Sequence, residues 1–448
     1  MRGIRRRTFL AGTALAGFMR PALAAGTVPF TNWSGAISVT PRARLAPRDE
    51  AELVSMLTKR TGPVRVVGSG HSFSPIVPTG GDLVALDWMT GLMDHDPGAM
   101  TATFQAGTRL SDTGPALDAV GQAMINLPDI DRQTFAGAIS TATHGTGIDL
   151  GGLSAYVTGL RLVTVGGDIL SLSADSDADL FNAARVSVGT LGVISAITTR
   201  NREPYRLRAV TEVVPIEDAL ATFDEKARRY RHYELFPFLY SDHTMALSIE
   251  ETDEPVNHPP PDPEADAQFE ELMRMLMSTP AVARKPIIDT VVGDLETSVV
   301  VDASWRVLAN IRNTRFNEME YTVPAEVGAD CLREILATVR DRGIDCVFPL
   351  EYRYVKGDDT WLGMQSGDGV YATISIHQLA GVDYAPYFDA IEPIFLRYGG
   401  RPHWGKLHSL DATQLAELYP RFEDFRRLRR ELDPAGRLLN EHLKELFA

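Results

Sequence analysis

Three stretches of small residues and one pair of charges carry the chemistry legible in this sequence. The first stretch is Val66-Val67-Gly68-Ser69-Gly70-His71-Ser72-Phe73-Ser74. Glycines and serines after a β-branched strand form a loop with many free backbone N–H groups, and such a nest takes phosphate oxygens. The second runs from Asp129 to Gly147 and is dominated by small residues from Ala136 onward, including Gly137, Ser140, Thr143, His144 and Gly145. Small side chains let the backbone approach a flat, charged ligand, and Ser and Thr hydroxyls add donors. The third is Gly189-Thr190-Leu191-Gly192-Val193-Ile194. Each alone also reads as an ordinary glycine turn, but three in one region point to a diphosphate. The Gly-x-Gly of the first loop is part of a Rossmann fingerprint. The third glycine is missing, and Phe73 to Pro78, with two prolines, does not read as a helix.

The charge pair is Glu351 and Arg353. Residues i and i+2 of a strand face the same way, so a carboxylate and a guanidinium project together. A cross-strand surface ion pair is one reading. However, Phe348, Leu350, Tyr352 and Tyr354 make the other face apolar, so both faces of a strand from Cys346 to Val355 are expected to be covered. Buried charges then need a reason. Proton transfer from a hydroxyl supplies one: a carboxylate accepts or orients the proton, and a cation stabilises the negative charge that develops on oxygen. Lys406 lies in a glycine- and aromatic-flanked segment expected to be strand-like, where a lysine is ordinarily solvated. His403 and His408 are five apart, but no thiolate pair or acidic cluster stands nearby at metal spacing, so no metal site is expected.

These residues need elements to position them. Residues 27–205 read as short strands and helices in an α+β pattern, not a βαβ series. A helix is expected around Arg48 to Leu57, strands at Pro63–Gly68 and Leu83–Asp87, and a hairpin turning at Gly166-Gly167. A second α+β domain is expected over 206–398. It holds helices at Asp218–Arg231, Glu264–Ser278 and Glu326–Arg340, the last stopped by Gly343, and a strand at Val370–Leu379. Residues 399–448 form a tail. No repeat of 20–50 residues is present. Cys331 and Cys346 are not expected to pair, because the intervening helix carries their backbones apart.

The composition fits a soluble globular protein of two or three domains: 448 residues, 44% hydrophobic, 23% charged. A net charge of −15 argues against nucleic-acid binding. Residues 1–24 read as a removable address: Arg5-Arg6-Arg7-Thr8-Phe9-Leu10, a short apolar stretch, then Ala22-Leu23-Ala24. The stretch is too short to span a bilayer. The twin arginine resembles a bacterial Tat signal, which implies a periplasmic or secreted protein exported already folded. No stable membrane insertion is expected.

Taken together, Gly68 to Ser74, Ala136-Gly137 to Gly147, and Gly189 to Gly192 resemble the FAD-binding (PCMH-type) domain of vanillyl-alcohol-oxidase-type flavoproteins. Glu351-Tyr352-Arg353, His377, Arg401 to His408 and Asp433 to Asn440 resemble the aldonolactone oxidases and their alditol-oxidase relatives, a group that includes L-gulonolactone and D-arabinono-1,4-lactone oxidases. Two departures stand out: Ala142, where relatives often have glycine, and Gly405, where several have alanine. The resemblance implies a two-domain FAD enzyme with a substrate-binding cap over 206–398 and a tail that completes the flavin site. It implies that His71 is joined covalently to the flavin 8α-methyl and that Ser72, Phe73 and Ser74 continue the pyrophosphate loop. Ser140, Thr143, His144 and Gly145 would line the pyrophosphate and flavin, Val193 or Ile194 would meet the adenosine, and His403 would contact the flavin. Lys406 would reach the flavin N1–C2 region, where a cation raises electron affinity, and His377 would face the substrate. The implied reaction is oxidation of a hydroxyl on a sugar lactone or polyol. The acceptor is molecular oxygen, giving hydrogen peroxide, or alternatively a cytochrome or quinone.

Overall fold

The computed structural model describes residues 28–260, 264–310 and 313–448; the expected signal segment, 1–24, lies outside them. The first half holds a small parallel sheet in the order Ala43–Leu45, Asp82–Ala85, Val64–Val67. The helix Glu50–Lys59 connects two of these strands. Asp49 caps it by accepting from the Glu52 N–H, and Glu50 and Glu52 sit in its first turn, where the helix dipole favours acids. A largely antiparallel sheet follows, with Ile169–Leu172, Val157–Val163, Val193–Arg202, Thr101–Gln105 and Leu92–Asp96 side by side. The Gly166-Gly167 hairpin forms as expected, with Gly167 at φ 96°.

The second half is built on one eight-stranded antiparallel sheet. Its order is Ser298–Ala303, Arg206–Pro215, His243–Glu251, His232–Pro237, Glu351–Lys356, Val370–Leu379, Phe316–Pro324 and Arg401–Pro402. The last strand comes from the C-terminal segment, so the tail extends this sheet as well as reaching back to the first half. The register pairs Glu234 with Arg353, Glu351 with Ser375, Glu320 with Ser375, and Glu318 with His377. Directly opposed residues share a face, so these charges all project from the same side. The alternate residues pack the other way: Tyr352 and Tyr354 meet Phe223 edge-on, with ring centroids 4.6 and 4.7 Å away.

Several elements differ from the sequence expectation, each for a local reason. The strand expected from Cys346 runs only from Glu351 to Lys356. Pro349, which has no N–H for the ladder, precedes it. Phe348 therefore does not share the apolar face with Tyr352; it turns to the charged side and packs on Phe316 and His377. The helix expected over Asp218–Arg231 is two, Ile216–Ala221 and Phe223–Arg229. At the break the Thr222 hydroxyl donates to the Asp218 carbonyl, a back-bond that bends helices. Lys406 is not in a strand: after Arg401–Pro402 the chain turns, and the Lys406 N–H donates to the His403 carbonyl at 2.9 Å. Cys331 and Cys346 are buried free thiols, as expected from their placement, and burial pushes each up to about 12.

Two arginines clip the tail to the first half. Arg437 donates to the carbonyls of Leu57, Arg60, Gly62 and Val165. Arg65 donates to those of Ile76, Val188, Gly189 and Leu438.

The helix Ala325–Arg342, ended by Gly343 at φ 60°, lies against the strands that carry the charges. Gly328 makes this approach possible, since a Cβ there would sit 2.4 Å from Ala372 Cβ and 2.8 Å from the Tyr352 hydroxyl. Helix propensity alone favours alanine at this position by about 1 kcal/mol, whereas overpacking a core costs about 1–3 kcal/mol. Gly328→Ala is expected to destabilise the protein, which a lowered urea midpoint would show.

Candidate active site

A groove of about 1020 Å³ lies in the first half. All three small-residue stretches line it: Gly68, Ser69, Gly70, His71 and Ser72 from the first, Gly137 and Ser140 from the second, and Gly189, Gly192, Val193 and Ile194 from the third. The first two stretches touch, because a Cβ on Gly68 would lie 2.1 Å from Thr134 Oγ1. The Val188-Gly189 turn has positive φ at both residues, 51° and 65°. A β-branched residue in that region is strained, and the Arg65 guanidinium holds the turn by donating to both carbonyls. Ala142 also has positive φ, 64°. That conformation is cheapest for glycine. A Cβ on Gly405 would meet His403 and Ser72 Oγ at 3.3 Å, tight but not prohibitive.

The groove fits an anionic dinucleotide such as FAD. Arg65 is fully buried beside it, and its hydrogen-bond partners among the described residues are all carbonyls, so no carboxylate neutralises its charge. Ser69 Oγ and Gln133 Oε1 line the groove as buried polar atoms without a partner. His71 lies near the end closed by His403, Gly405 and Lys406. Its ring stacks on Trp33 at 5.4 Å. Burial, with Lys406, Arg109 and Arg132 nearby, lowers its pKa to about 4, so the ring is neutral with a lone pair to offer.

Two residues of the expected pyrophosphate loop do other work. Phe73 is buried in the core, and its N–H donates to the Gly405 carbonyl at 2.7 Å. The Ser74 hydroxyl donates to the Trp404 carbonyl at 2.6 Å. Neither lines the groove; together they tie the first loop to the turn that carries His403 and Lys406. Gly145 is also off the groove. A Cβ there would lie 2.3 Å from the Leu127 carbonyl, so its role is close backbone packing. Thr143 and His144 line the adjoining pocket instead.

That second pocket, about 480 Å³, meets the groove at Gln133, His403 and Lys406. It gathers Glu351, Arg353, His377, Glu318, Glu320, Thr143 and His144. Glu351 and Arg353 are each only 7% exposed. The Arg353 guanidinium lies 3.0 Å from Glu351, 3.5 Å from Glu320 and 3.7 Å from Glu234. Burial works against its charge, but the three carboxylates outweigh it and hold Arg353 protonated. Burial likewise opposes ionisation of Glu320, yet His144, 2.8 Å away, and Arg353 keep its carboxyl well below the usual range. Burial pushes Glu234 up to about 7 despite Arg353; Thr146 donates to it at 2.6 Å. Glu318 is held at about 2, against its burial, by Lys406 and His377. It pairs directly with the Lys406 ammonium and lies 3.5 Å from His377 Nε2. His403 accepts from the Gly405 N–H through Nδ1 at 3.0 Å, leaving Nε2 to carry the proton, and burial lowers its pKa to about 3.

The structure thus brings Glu351, Arg353, Lys406, His377 and His403 into one place. Sequence reasoning missed Glu318, Glu320, Glu234 and Gln133. Glu318 and Glu320 do leave a signal: they alternate with Asn317, Met319 and Tyr321 in a strand, the same i, i+2 pattern that singled out Glu351 and Arg353. Among the described residues no cluster of His, Cys, Asp or Glu is placed to hold a metal ion, and no helix is long and apolar enough to cross a membrane.

Residues 41–173 match the family model described as FAD binding domain, and residues 197–446 match that of D-arabinono-1,4-lactone oxidase. The chain is 36% identical over 432 residues to the L-gulono-1,4-lactone dehydrogenase of Mycobacterium tuberculosis, spanning 93% of this chain and 99% of that one. It is 28% identical to the L-gulonolactone oxidase of Bos taurus, over 94% and 98% of the two chains. Identity to an alditol oxidase of Streptomyces sp. is 27%, over 93% and 98%. A single-site variant of the cholesterol oxidase from Brevibacterium sterolicum shares the fold, with a TM-score of 0.78 at 14% identity over 94% and 97% of the chains. The chain is an FAD-dependent oxidoreductase and belongs to the D-arabinono-1,4-lactone oxidase family.

Proposed function

We infer that the protein oxidises a hydroxyl of a sugar 1,4-lactone of the arabinono- or gulono-lactone type, with alditols as the alternative substrates. One observation carries this reading: the dinucleotide groove ends, at Lys406 and His403, on a polar pocket that holds Glu351 beside Arg353. FAD, when bound, supplies the two-electron acceptor for the carbinol hydrogen. The protein supplies the rest. Glu351 orients the reacting hydroxyl and takes its proton, and Arg353 stabilises the oxygen as negative charge develops. Lys406, steadied by Glu318, presents a cation at the groove–pocket junction. His377 faces the substrate, fixed by the Pro349 carbonyl at 3.1 Å from Nδ1. Ser72, Ser140, Val193 and Ile194 serve as cofactor contacts.

Molecular oxygen is taken as the acceptor, with hydrogen peroxide as product. A cytochrome or quinone acceptor is the second reading, favoured by the name dehydrogenase of the 36%-identical relative. Stopped-flow mixing of the reduced enzyme with air separates them: reoxidation slower than turnover would remove the oxidase reading. Export through the twin-arginine segment, placing the enzyme in the periplasm or outside the cell, belongs to the same proposal. Replacing Arg6 and Arg7 by lysine is expected to leave the protein in the cytoplasm, and unaltered export on fractionation would refute it.

The neutral His71 ring beside the groove supports a covalent bond to the flavin. Acid-precipitated wild type should keep its yellow colour in the pellet, whereas His71→Ala should release it. Flavin lost from the wild-type pellet would end the covalent assignment.

Arg353→Met is expected to lower kcat by ~10²-fold or more, the scale for removing a transition-state charge partner. A change confined to KM would show that Arg353 only binds substrate.

A further inference from the structure

The charged face of the cap sheet does not stop at Arg353. Two residues along from Glu234 on the same strand comes Phe236, opposed to Met245; Leu247 is opposed to Glu234 and to Thr211; and Ala209 is opposed to Val300. All share the side of the sheet that carries the charges. The face therefore grades from carboxylates and guanidinium at one end to hydrocarbon at the other. This apolar half, with Phe269 of the helix Ala265–Ser278 and Phe348, walls one side of a chamber of about 1430 Å³, whose lining also includes the exposed His258, Arg306 and Asn310 and the half-buried Asp266. Phe236, Met245, Leu247, Phe269 and Val300 are all half-buried. Concave apolar surface left uncovered next to polar catalytic groups marks a ligand site.

Three spaces then lie in sequence. The cofactor groove and the polar pocket share Gln133, His403 and Lys406. The polar pocket and the chamber share Phe316, Glu351 and His377. The groove and the chamber share no residue. A molecule whose hydroxyl reacts at Glu351 therefore has the cofactor on one side and the chamber on the other. An unsubstituted sugar lactone, with polar groups on almost every carbon, is served by the polar pocket; against the hydrocarbon face of the sheet those groups lose water without gaining partners.

We propose that the chamber receives an apolar group, an alkyl chain or an aromatic ring, attached to the hydroxylated head that reacts at Glu351 and Arg353. The substrate class then extends to amphipathic alcohols. This rests on the assignment of Glu351 and Arg353 to the reacting hydroxyl. An apolar electron acceptor fits the chamber less well, because the polar pocket separates it from the groove.

Straight-chain 1,2-diols of four to ten carbons test this with the flavin-loaded enzyme, using anaerobic flavin bleaching and steady-state kcat/KM. Burial of each added methylene is expected to raise kcat/KM about threefold to fourfold until the chamber is filled. Leu247→Arg should flatten this dependence on chain length, and the volume-conserving Leu247→Met should keep it. If lactones or polyols bleach the flavin while diols show no gain with length, the chamber assignment falls and the alcohol-oxidation reading stands. Bleaching by neither class overturns both. A chain-length gain that Leu247→Arg leaves intact places the tail elsewhere and overturns the assignment. So does reduction of a decyl-benzoquinone that Leu247→Arg slows while the diol series is flat, since the chamber would then serve an acceptor.

Discussion

The polar pocket depends on one buried guanidinium. Arg353 lies among Glu351, Glu320 and Glu234, 3.0 to 3.7 Å from their carboxylates. Removing one partner of a buried ion group leaves the others uncompensated, at a cost of about 3–5 kcal/mol. A cluster of this kind is a poor way to hold a fold together. It is useful where charge must appear on a substrate oxygen, since the field is already in place and nothing needs to reorganise. The carboxylates also differ. Glu320 and Glu318 are driven to ionise by their cations, while Glu234 is pushed toward neutrality by burial. Two carboxyl groups beside the same guanidinium, Glu234 and Glu320, are thereby shifted in opposite directions.

Much of this was legible in the sequence, and what was not has a physical reason. Glycine-rich loops announce themselves because few residues permit close backbone approach, so the three stretches along the groove could be found one by one. Glu351 and Arg353 stood out because strand alternation puts them on one side. The limits appear where long-range pairing decides the outcome. Glu234 gains its place only because its strand pairs antiparallel with Glu351–Lys356, more than a hundred residues later. Glu318 looks like an ordinary strand acid until Lys406 arrives from the tail. Phe73 and Ser74 belong to the right motif, yet the turn at Trp404-Gly405 claims their hydrogen bonds. The chamber left no trace, since half-buried Leu, Met and Phe on alternating strands read as core.

The turn after Arg401–Pro402 joins the two halves. Through Phe73 and Ser74 it is fastened to the first glycine loop, through the short strand it is fastened to the eight-stranded sheet, and it sets His403 and Lys406 where the groove meets the polar pocket. A residue here answers to both halves at once. That is why the ion pair between Lys406 and Glu318 matters beyond its own energy: it fixes the ammonium relative to the strand that also carries Glu320.

The clip made by Arg65 has a temporal meaning. One of its carbonyl partners, Leu438, lies 373 positions further along the chain. The strained Val188-Gly189 turn and the wall it forms are therefore secured only after nearly the whole polypeptide has left the ribosome. During synthesis the nucleotide cleft is an unfinished half-shell, so flavin capture is a late event of biogenesis.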